Sequence, residues 1–378
     1  MNSPPRGLEG VVAVRTRLSQ VDGQRGVLII SGYPIEEVAG KVAFEDAAYL
    51  LWTGRLPNAS EAEANRHEIA ALRPIPEITR TMVIEAAKRG VPAMDALRMA
   101  CSTVSLDVGD GDAIAHEADL ASAKMLLARF PTIVAAYIRA SAGQEPIAPR
   151  AGLPLAANFL YMTTGFAPDP VAARALEAYW VTVIDHGMNA STFTARVIAS
   201  TRSDMVSAVT GAIGALKGPL HGGAPGPVLD MLLDIGSQVN AERWVRNELA
   251  AGRRIMGFGH RVYKVRDPRA EVLARVAADM SGAELQDRRL FELARDVEKI
   301  VLRVLDEVKP GRHLQTNVEF FTALVLQSIG LTPAVFSAIF ACGRCAGWCA
   351  HVMEQHAEDH LIRPESAYIG PLAPAAKR

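Results

Sequence analysis

From Phe320 to Met353 the chain carries one formally charged side chain, Arg344. A stretch that long and that apolar has two homes, a lipid bilayer or the inside of a packed protein. Gly330 and Pro333 interrupt it, and Gln327, Ser328, Thr332 and Ser337 lie within it. The pattern therefore predicts two packed core helices rather than a membrane span. Overall composition points the same way: hydrophobic residues make up 49% and charged residues 21%, enough apolar surface for a large core in one or two domains. With 40 basic against 41 acidic residues there is no cationic excess to neutralise a phosphate backbone, so no nucleic-acid partner is expected. The opening Met-Asn-Ser-Pro-Pro-Arg lacks a basic region followed by an apolar run, so no secretory signal is expected. Four cysteines do not make a disulfide scaffold, and a reducing cytoplasm is the expected compartment.

Three cysteines, Cys342, Cys345 and Cys349, lie close together, with His351 and His356 nearby. Their spacing of i, i+3, i+7 puts them on one helix face, where free thiols behave as small hydrophobes. Core packing is the expectation, and no metal site.

Residues 11–30 mix β-branched side chains with Asp22-Gly23 and Gly26, which suggests a small N-terminal hairpin. After that the periodicity is helical almost throughout, and the class is mainly α. Helices are expected over 35–52, 58–72, 76–89, 93–106, 117–129, 131–141, 153–164 and 169–184. Further patterns cover 203–216, 226–235, 267–280, 284–308, 316–328 and 333–353. Asn58 and Glu61 form a capping-box start. Gly or Pro separates many of these segments, and no strand-rich region could supply a parallel sheet, which argues against a doubly wound nucleotide fold.

Five segments break this helical pattern. Lys217-Gly-Pro-Leu-His221-Gly-Gly-Ala224 sets a histidine between glycines, which suits close approach of a ligand. A helix beginning after His221 would favour a neutral ring able to donate to a developing oxyanion. Met256-Gly257-Phe258-Gly259-His260-Arg-Val-Tyr-Lys264 offers backbone N–H groups and cations to phosphates or carboxylates, or is merely an exposed basic loop. Asn317-Val-Glu319 opens an apolar helix; its acid is either a dipole-favoured first-turn residue or a desolvated general base. Arg344 must be paired, with a structural carboxylate or with an anionic ligand. Asp185-His186-Gly-Met-Asn-Ala-Ser191 is a polar corner that either ends a helix or holds a ligand. Taken together, histidines, a carboxylate and arginines suit proton removal beside a carbonyl, with donors for the enolate and for a second carbonyl.

At these segments the chain resembles the citrate synthase family. The likeness rests on Gly218-Pro-Leu-His-Gly-Gly-Ala224, Gly257-Phe-Gly-His-Arg-Val-Tyr-Lys264, Asp267-Pro-Arg-Ala270, Asn317-Val-Glu-Phe320 and Leu361-Ile-Arg-Pro364. Asp185-His-Gly-Met-Asn-Ala-Ser-Thr192, Gly7-Leu-Glu-Gly-Val-Val12 and Tyr49-Leu-Leu-Trp-Thr-Gly-Arg-Leu-Pro57 agree, so it spans nearly the whole chain. The resemblance implies a mainly α homodimer of two-domain subunits. The large domain would hold 1–217 with 331–378, and a smaller one, 218–330, would carry much of the CoA site. The implied reaction, part of the tricarboxylic acid cycle, condenses acetyl-CoA with oxaloacetate and hydrolyses the thioester to citrate and CoA. CoA is then a co-substrate, and no tightly bound cofactor is implied.

Carried over by motif, His221 would stabilise the enolate, His260 would polarise the oxaloacetate carbonyl and Glu319 would be the base. His186, Arg269 and Arg344 would hold the dicarboxylate, and Arg363 would reach the partner subunit's site. Met256, Gly257, Phe258, Gly259, Lys264 and Asn317 would belong to the CoA site. One departure stands out: the family's usual aspartate base is here Glu319, one methylene longer. A displacement of about 1 Å in an aligned site can cost on the order of 100-fold. The expectation is that the backbone compensates. The rivals are a 2-methylcitrate synthase using propionyl-CoA, and a weakly active paralogue that binds CoA esters or dicarboxylates.

Overall fold

The computed structural model describes residues 6–8, 10–108, 116–221, 225–280 and 285–371. A three-stranded antiparallel sheet comes first: β1 (Ser19–Asp22) and β2 (Val27–Ile30) form a hairpin, and the short β3 (Tyr33–Pro34) pairs with β2. The expected hairpin is thus present, with one strand more. Sixteen α-helices follow among the described residues. The first ten are α1 (Ile35–Val38), α2 (Phe44–Thr53), α3 (Ala59–Leu72), α4 (Glu77–Lys88), α5 (Ala93–Thr103), α6 (His116–Ser141), α7 (Leu155–Thr164), α8 (Pro170–Thr182), α9 (Ala190–Ala199) and α10 (Met205–Leu216). Then come α11 (Pro225–Ile235), α12 (Gln238–Ala250), α13 (Pro268–Met280), α14 (Leu285–Val308), α15 (Val318–Ser328) and α16 (Phe336–Glu358).

Local chemistry explains several boundaries. The Asn58 side chain accepts from Glu61 N–H while Glu61 reaches back to Asn58 N–H, the reciprocal cap expected for α3. Asp169, Asn189, Asp204 and Asn317 cap α8, α9, α10 and α15 through their side chains. The structure differs from the periodicity in four places. Residues 35–52 are two helices, because the chain turns at Gly40. Residues 117–129 and 131–141 are one helix, α6, with Pro131 buried inside it. The missing Pro131 N–H costs one hydrogen bond, which the packing of α6 against α3, α4, α7 and α16 outweighs. Two helices lacked a recognisable signal. In α9 the polar start reads as a corner, and in α12 only Ala241 and Val245 are buried, too narrow a stripe to stand out.

The apolar 320–353 stretch forms α15, a 3₁₀ turn at Pro333–Val335 and most of α16. By length and composition α6 and α16 could cross a membrane, but the apolar window of α16 is 94% buried within the protein. Around α16 pack α2, α6, α8, α9 and α10. Its carbonyls receive the indole N–H groups of its neighbours, Trp52 on Ala346 at 3.1 Å and Trp180 on Ile339 at 3.1 Å. Trp180 in turn meets Phe44 and Phe159, with ring centroids at 5.3 and 5.8 Å. All four cysteines are buried; burial pushes the Cys101 thiol up to about 12 and that of Cys342 higher still. Helices α11, α12 and α14 pack on one another, and α13 packs on α15 and α8.

Gly347 marks the tightest approach on α16. A Cβ there would lie 2.2 Å from Ile184 O and 3.0 Å from Asp185 Oδ1. Alanine would gain about 1 kcal/mol in helix propensity over glycine. The overlap with a backbone carbonyl outweighs that, because the 184–185 chain must move. Gly347→Ala should therefore lower stability by a net ~1–3 kcal/mol. The urea midpoint should fall at an unchanged m value; a midpoint that rises would mean that the helix term wins.

Candidate active site

Three connections and the starts of two helices converge beside α16. The turn 183–189, between α8 and α9, carries His186. The turn after α10 carries His221. The 256–267 loop carries His260 and leads into α13, where Arg269 sits in the first turn. Asn317 caps α15, whose second residue is Glu319, and α16 supplies Arg344.

The two outer histidines are held in opposite tautomers. His260 Nδ1 accepts from the backbone N–H groups of Val262 (3.0 Å) and Tyr263 (3.1 Å), so the ring proton is on Nε2. His221 Nε2 accepts from Ser191 N–H at 3.3 Å, and the Ser191 hydroxyl lies 2.8 Å from the same nitrogen. Trp348 Nε1–H donates to Ser191 Oγ at 3.0 Å, leaving the hydroxyl proton free to face His221 or Asn189. The His221 proton is then on Nδ1. Ser191 is in the first turn of α9, so the N-terminal end of α9 serves the ring. Gly222, Gly223 and Ala224 lie outside the described residues.

Both rings are neutral at physiological pH. Burial, then Arg344, pushes His221 down to about 4; burial, then Arg269, does the same for His260. His186 is pushed well below its usual value, by burial first and then by Arg269, Arg344 and His260. Its Nε2 lies 3.1 Å from Tyr263 Oη, and its ring stands edge-on to His260 with centroids 5.5 Å apart.

The cations are handled differently. Arg269 is 3% exposed and clamped by Asp267, Nε to Oδ1 at 3.0 Å and Nη2 to Oδ2 at 2.7 Å. Arg344 is 2% exposed; its Nε donates to Val183 O at 2.5 Å and its guanidinium lies 4.7 Å over the Phe340 ring. No carboxylate among the described residues is within ion-pair distance of it. Burial pulls its pKa down to about 10, opposed chiefly by Asp185. Asp185 stays ionised although buried: burial would raise it, but His351, Arg344 and Ser19 hold it at about 2. His351 Nδ1 faces Arg196 Nη1 at 3.0 Å and its Nε2 faces Asp185 Oδ1 at 3.2 Å, so a chain of polar contacts backs the His186 turn.

Glu319 receives no hydrogen bond to its carboxylate from the described residues. Its own N–H donates to Asn317 Oδ1 at 3.1 Å. The residue is half-buried, and burial pushes its pKa up to about 7 against the pull of Arg269 and Arg344. The Gly257–Gly259 loop runs antiparallel to the approach to α15: Gly259 N–H donates to Gln315 O at 2.7 Å and Asn317 N–H to Gly257 O at 3.0 Å. Asn317 Nδ2 also donates to Gly259 O at 2.9 Å, so the His260 loop and the Glu319 helix move as one piece. Phe258 stacks edge-on against Phe320 at 5.1 Å. Met256 is partly buried beside this ladder, and Lys264 is exposed with Nζ 3.4 Å from Arg261 O.

Thus His186, His221, His260, Arg269, Glu319 and Arg344 are gathered, with the 256–259 loop and Asn317 at their edge. Arg363 is not: it is exposed on the extended chain after α16 and makes no ion pair with the described residues. Sequence reading passed over Ser191, Tyr263, Asp267, Asp185 and Trp348, which orient the gathered groups. A usable signal was present in the aspartates, since Asp185 and Asp267 lie within motifs already singled out.

This helical fold, with its paired histidines and buried carboxylate, marks a condensing enzyme acting on acyl thioesters. The family model described as "Citrate synthase, C-terminal domain" matches residues 7–365. The chain is 39% identical to citrate synthase of Haloferax volcanii, over 97% of this chain and 95% of that protein. It is 40% identical to 2-methylcitrate synthase of Mycobacterium tuberculosis, over 97% and 90%. A solved structure of Thermoplasma acidophilum citrate synthase, a ternary complex with carboxymethyl coenzyme A and oxaloacetate, superposes with a TM-score of 0.89. That match has 29% identity and covers 98% of each chain. The chain belongs to the citrate synthase family.

The raised pKa of Glu319 has a stability consequence. Its folded value lies above the unfolded one, so the folded state holds the proton more tightly. Stability from this group is present at low pH and is lost as pH rises from the unfolded value of 4.5 through about 7. Glu319→Gln removes that loss. The thermal midpoint of the variant should exceed that of the wild type by more at pH 8 than at pH 5; a pH-independent difference would mean that the carboxylate is not desolvated.

Proposed function

We propose that the protein condenses acetyl-CoA with oxaloacetate and hydrolyses the resulting thioester, releasing citrate and CoA. The observation that carries this reading is the pairing of two neutral histidines, protonated on opposite nitrogens, with a carboxylate whose pKa burial sets near 7. Glu319 takes a proton from the acetyl methyl group. His221 Nδ1–H donates to the thioester oxygen as the enolate forms. His260 Nε2–H donates to the oxaloacetate carbonyl oxygen and draws charge from the carbon under attack. Neutral imidazoles suit both tasks, because each donor holds its proton while charge develops on the oxygen. The new C–C bond yields a CoA thioester, whose hydrolysis releases CoA.

Oxaloacetate is a dianion. Arg269 and Arg344 supply the positive field, His186 adds a neutral donor, and Arg363 of a second copy completes the pocket in a homodimer. The 256–259 loop with Lys264 and Asn317 takes CoA, which serves as co-substrate with no tightly bound cofactor. Residues 218–330 act as a smaller domain that closes on the rest, excluding water for condensation and admitting it for hydrolysis. Propionyl-CoA is the competing donor, since one methylene in a pocket discriminates by only about 1–3 kcal/mol.

A steady-state thiol-release assay with oxaloacetate and each acyl-CoA tests the reading. Acetyl-CoA should give the higher kcat/KM; a clear preference for propionyl-CoA would move the assignment to 2-methylcitrate. With the wild type, kcat/KM should rise with pH through about 7 as Glu319 ionises. Glu319→Gln should abolish thiol release while CoA still binds; near-normal turnover would remove Glu319 from the base role. Glu319→Asp should lose rate if the backbone is set for the longer acid. Oxaloacetate should tighten CoA-ester binding in calorimetry, and equal affinity with and without it would contradict closure.

A further inference from the structure

The N-terminal hairpin touches both loops that carry the histidines of the dicarboxylate pocket. At its base, the Ser19 hydroxyl donates to Asp185 Oδ2 and accepts from Gly187 N–H at 3.0 Å. Val21 packs over Gly187, whose Cβ position would be 3.5 Å from Val21 Cγ2. Ser19 and Val21 therefore flank the turn that presents His186. At its tip, Gly23 O accepts from Lys264 N–H at 2.8 Å. A Cβ on Gly23 would lie 2.1 Å from Val262 O, and one on Gly26 would lie 2.7 Å from Val265 Cγ2. The tip thus rests directly on the loop that presents His260. Asp22 Oδ1 fixes its shape by accepting from Gln24 N–H (3.0 Å) and Arg25 N–H (2.9 Å).

Resting on the reading above, we propose that the hairpin is a positioning element of the oxaloacetate site, a clasp that sets the His186 turn and the His260 loop against each other. Val262 is the link. Its carbonyl fills the space that Gly23 leaves open, and its N–H is one of the two that hold His260 Nδ1. Whatever displaces Val262 turns the His260 ring. At the other end, Ser19 holds Asp185, which neighbours His186 in sequence and keeps its charge near Arg344. The two anchor points are four residues apart, from the first residue of β1 to the first turn residue after it, about 13 Å of near-extended chain. Across that span His186 and His260 meet at 5.5 Å, with Tyr263 Oη bridging to His186 at 3.1 Å.

The test compares Gly23→Ala, Ser19→Ala and the control Arg25→Ala, an exposed tip residue, by calorimetry with oxaloacetate, thiol release with acetyl-CoA and thermal midpoints. A forced shift of about 1 Å should weaken oxaloacetate binding by Gly23→Ala by about tenfold or more. Loss of the two Ser19 Oγ hydrogen bonds, one donated to Asp185 and one accepted from Gly187 N–H, should cost Ser19→Ala about fivefold or more. The control should match the wild type. Gly23→Ala should also lower the thermal midpoint, because its Cβ meets Val262 O at 2.1 Å; a merely structural role would lower the midpoint and leave the oxaloacetate affinity of the folded protein unchanged. If Gly23→Ala fails to fold, Ser19→Ala decides, since it leaves the backbone unchanged. Wild-type affinity in both variants overturns the clasp. A wild type that binds oxaloacetate but releases no thiol overturns the condensation reading alone, while the binding ratios still judge the clasp. A wild type that binds no oxaloacetate overturns both.

Discussion

A guanidinium held out of water at the middle of α16 sets the terms for everything around it. Arg344 has one carbonyl, Val183 O, and one aromatic face, Phe340, as direct partners. Neither carries a full negative charge, and Asp185 balances it only from beyond ion-pair distance. The surplus positive potential has two effects. It adds to burial, the larger cause, and for His186 to Arg269, in pushing the pKa values of His186 and His221 down, so that both rings are neutral. It also leaves a region in which a small dianion is electrostatically welcome. Placing a charge there without a paired carboxylate is costly to a folded protein, and sites that bind charged ligands carry that cost in the free state. Arg269, clamped on both sides by Asp267, is positioned in advance and so loses little side-chain entropy when a ligand arrives.

Glu319 faces the opposite problem. The same low-dielectric surroundings that make the cations effective push its carboxylate toward the protonated form, and the arginines pull it back only part of the way. The balance lands near neutrality, where a base is strong enough to accept a proton and about half of it is already ionised. An exposed glutamate would be too weak, and one more deeply isolated would stay protonated. The extra methylene relative to aspartate lengthens the reach from α15, so the start of that helix, fixed by Asn317 and by its ladder with Gly257–Gly259, matters to where the carboxylate lies.

Much of the helical layout was legible in the sequence, because apolar periodicity between Gly and Pro breaks is a local signal. It failed where tertiary packing decides. Pro131 reads as a break, yet α6 runs through it, with Pro131 buried and neighbouring helices packed along α6. Helix α12 buries only a narrow stripe and so looks like loop. Among the candidate site residues, histidines, arginines and the carboxylate stood out because polar groups amid apolar runs are conspicuous. The groups that orient them did not. Ser191 and Trp348 look like ordinary helix residues, and the contacts that run from Trp348 through Ser191 to His221 join positions far apart in the chain. Nothing local in residues 19–26 reports that a hairpin tip rests on the His260 loop.

Helix α16 carries its working residues at 344, 348, 351 and 355, successive steps of four, three and four along one face. Arg344 donates to Val183 O, Trp348 serves the Ser191–His221 pair, His351 meets Asp185, and Gln355 Oε1 accepts from Arg196 Nε. These contacts reach the turn after α8 and helix α9, and all depend on one helical phase. Inserting or deleting a single residue between Arg344 and Gln355 would rotate everything beyond it by about 100° and shift it by about 1.5 Å. No local repair could restore the contacts together. The segment can therefore vary in what its residues are but hardly in how many there are, a constraint on descent that comes from helical geometry rather than from chemistry.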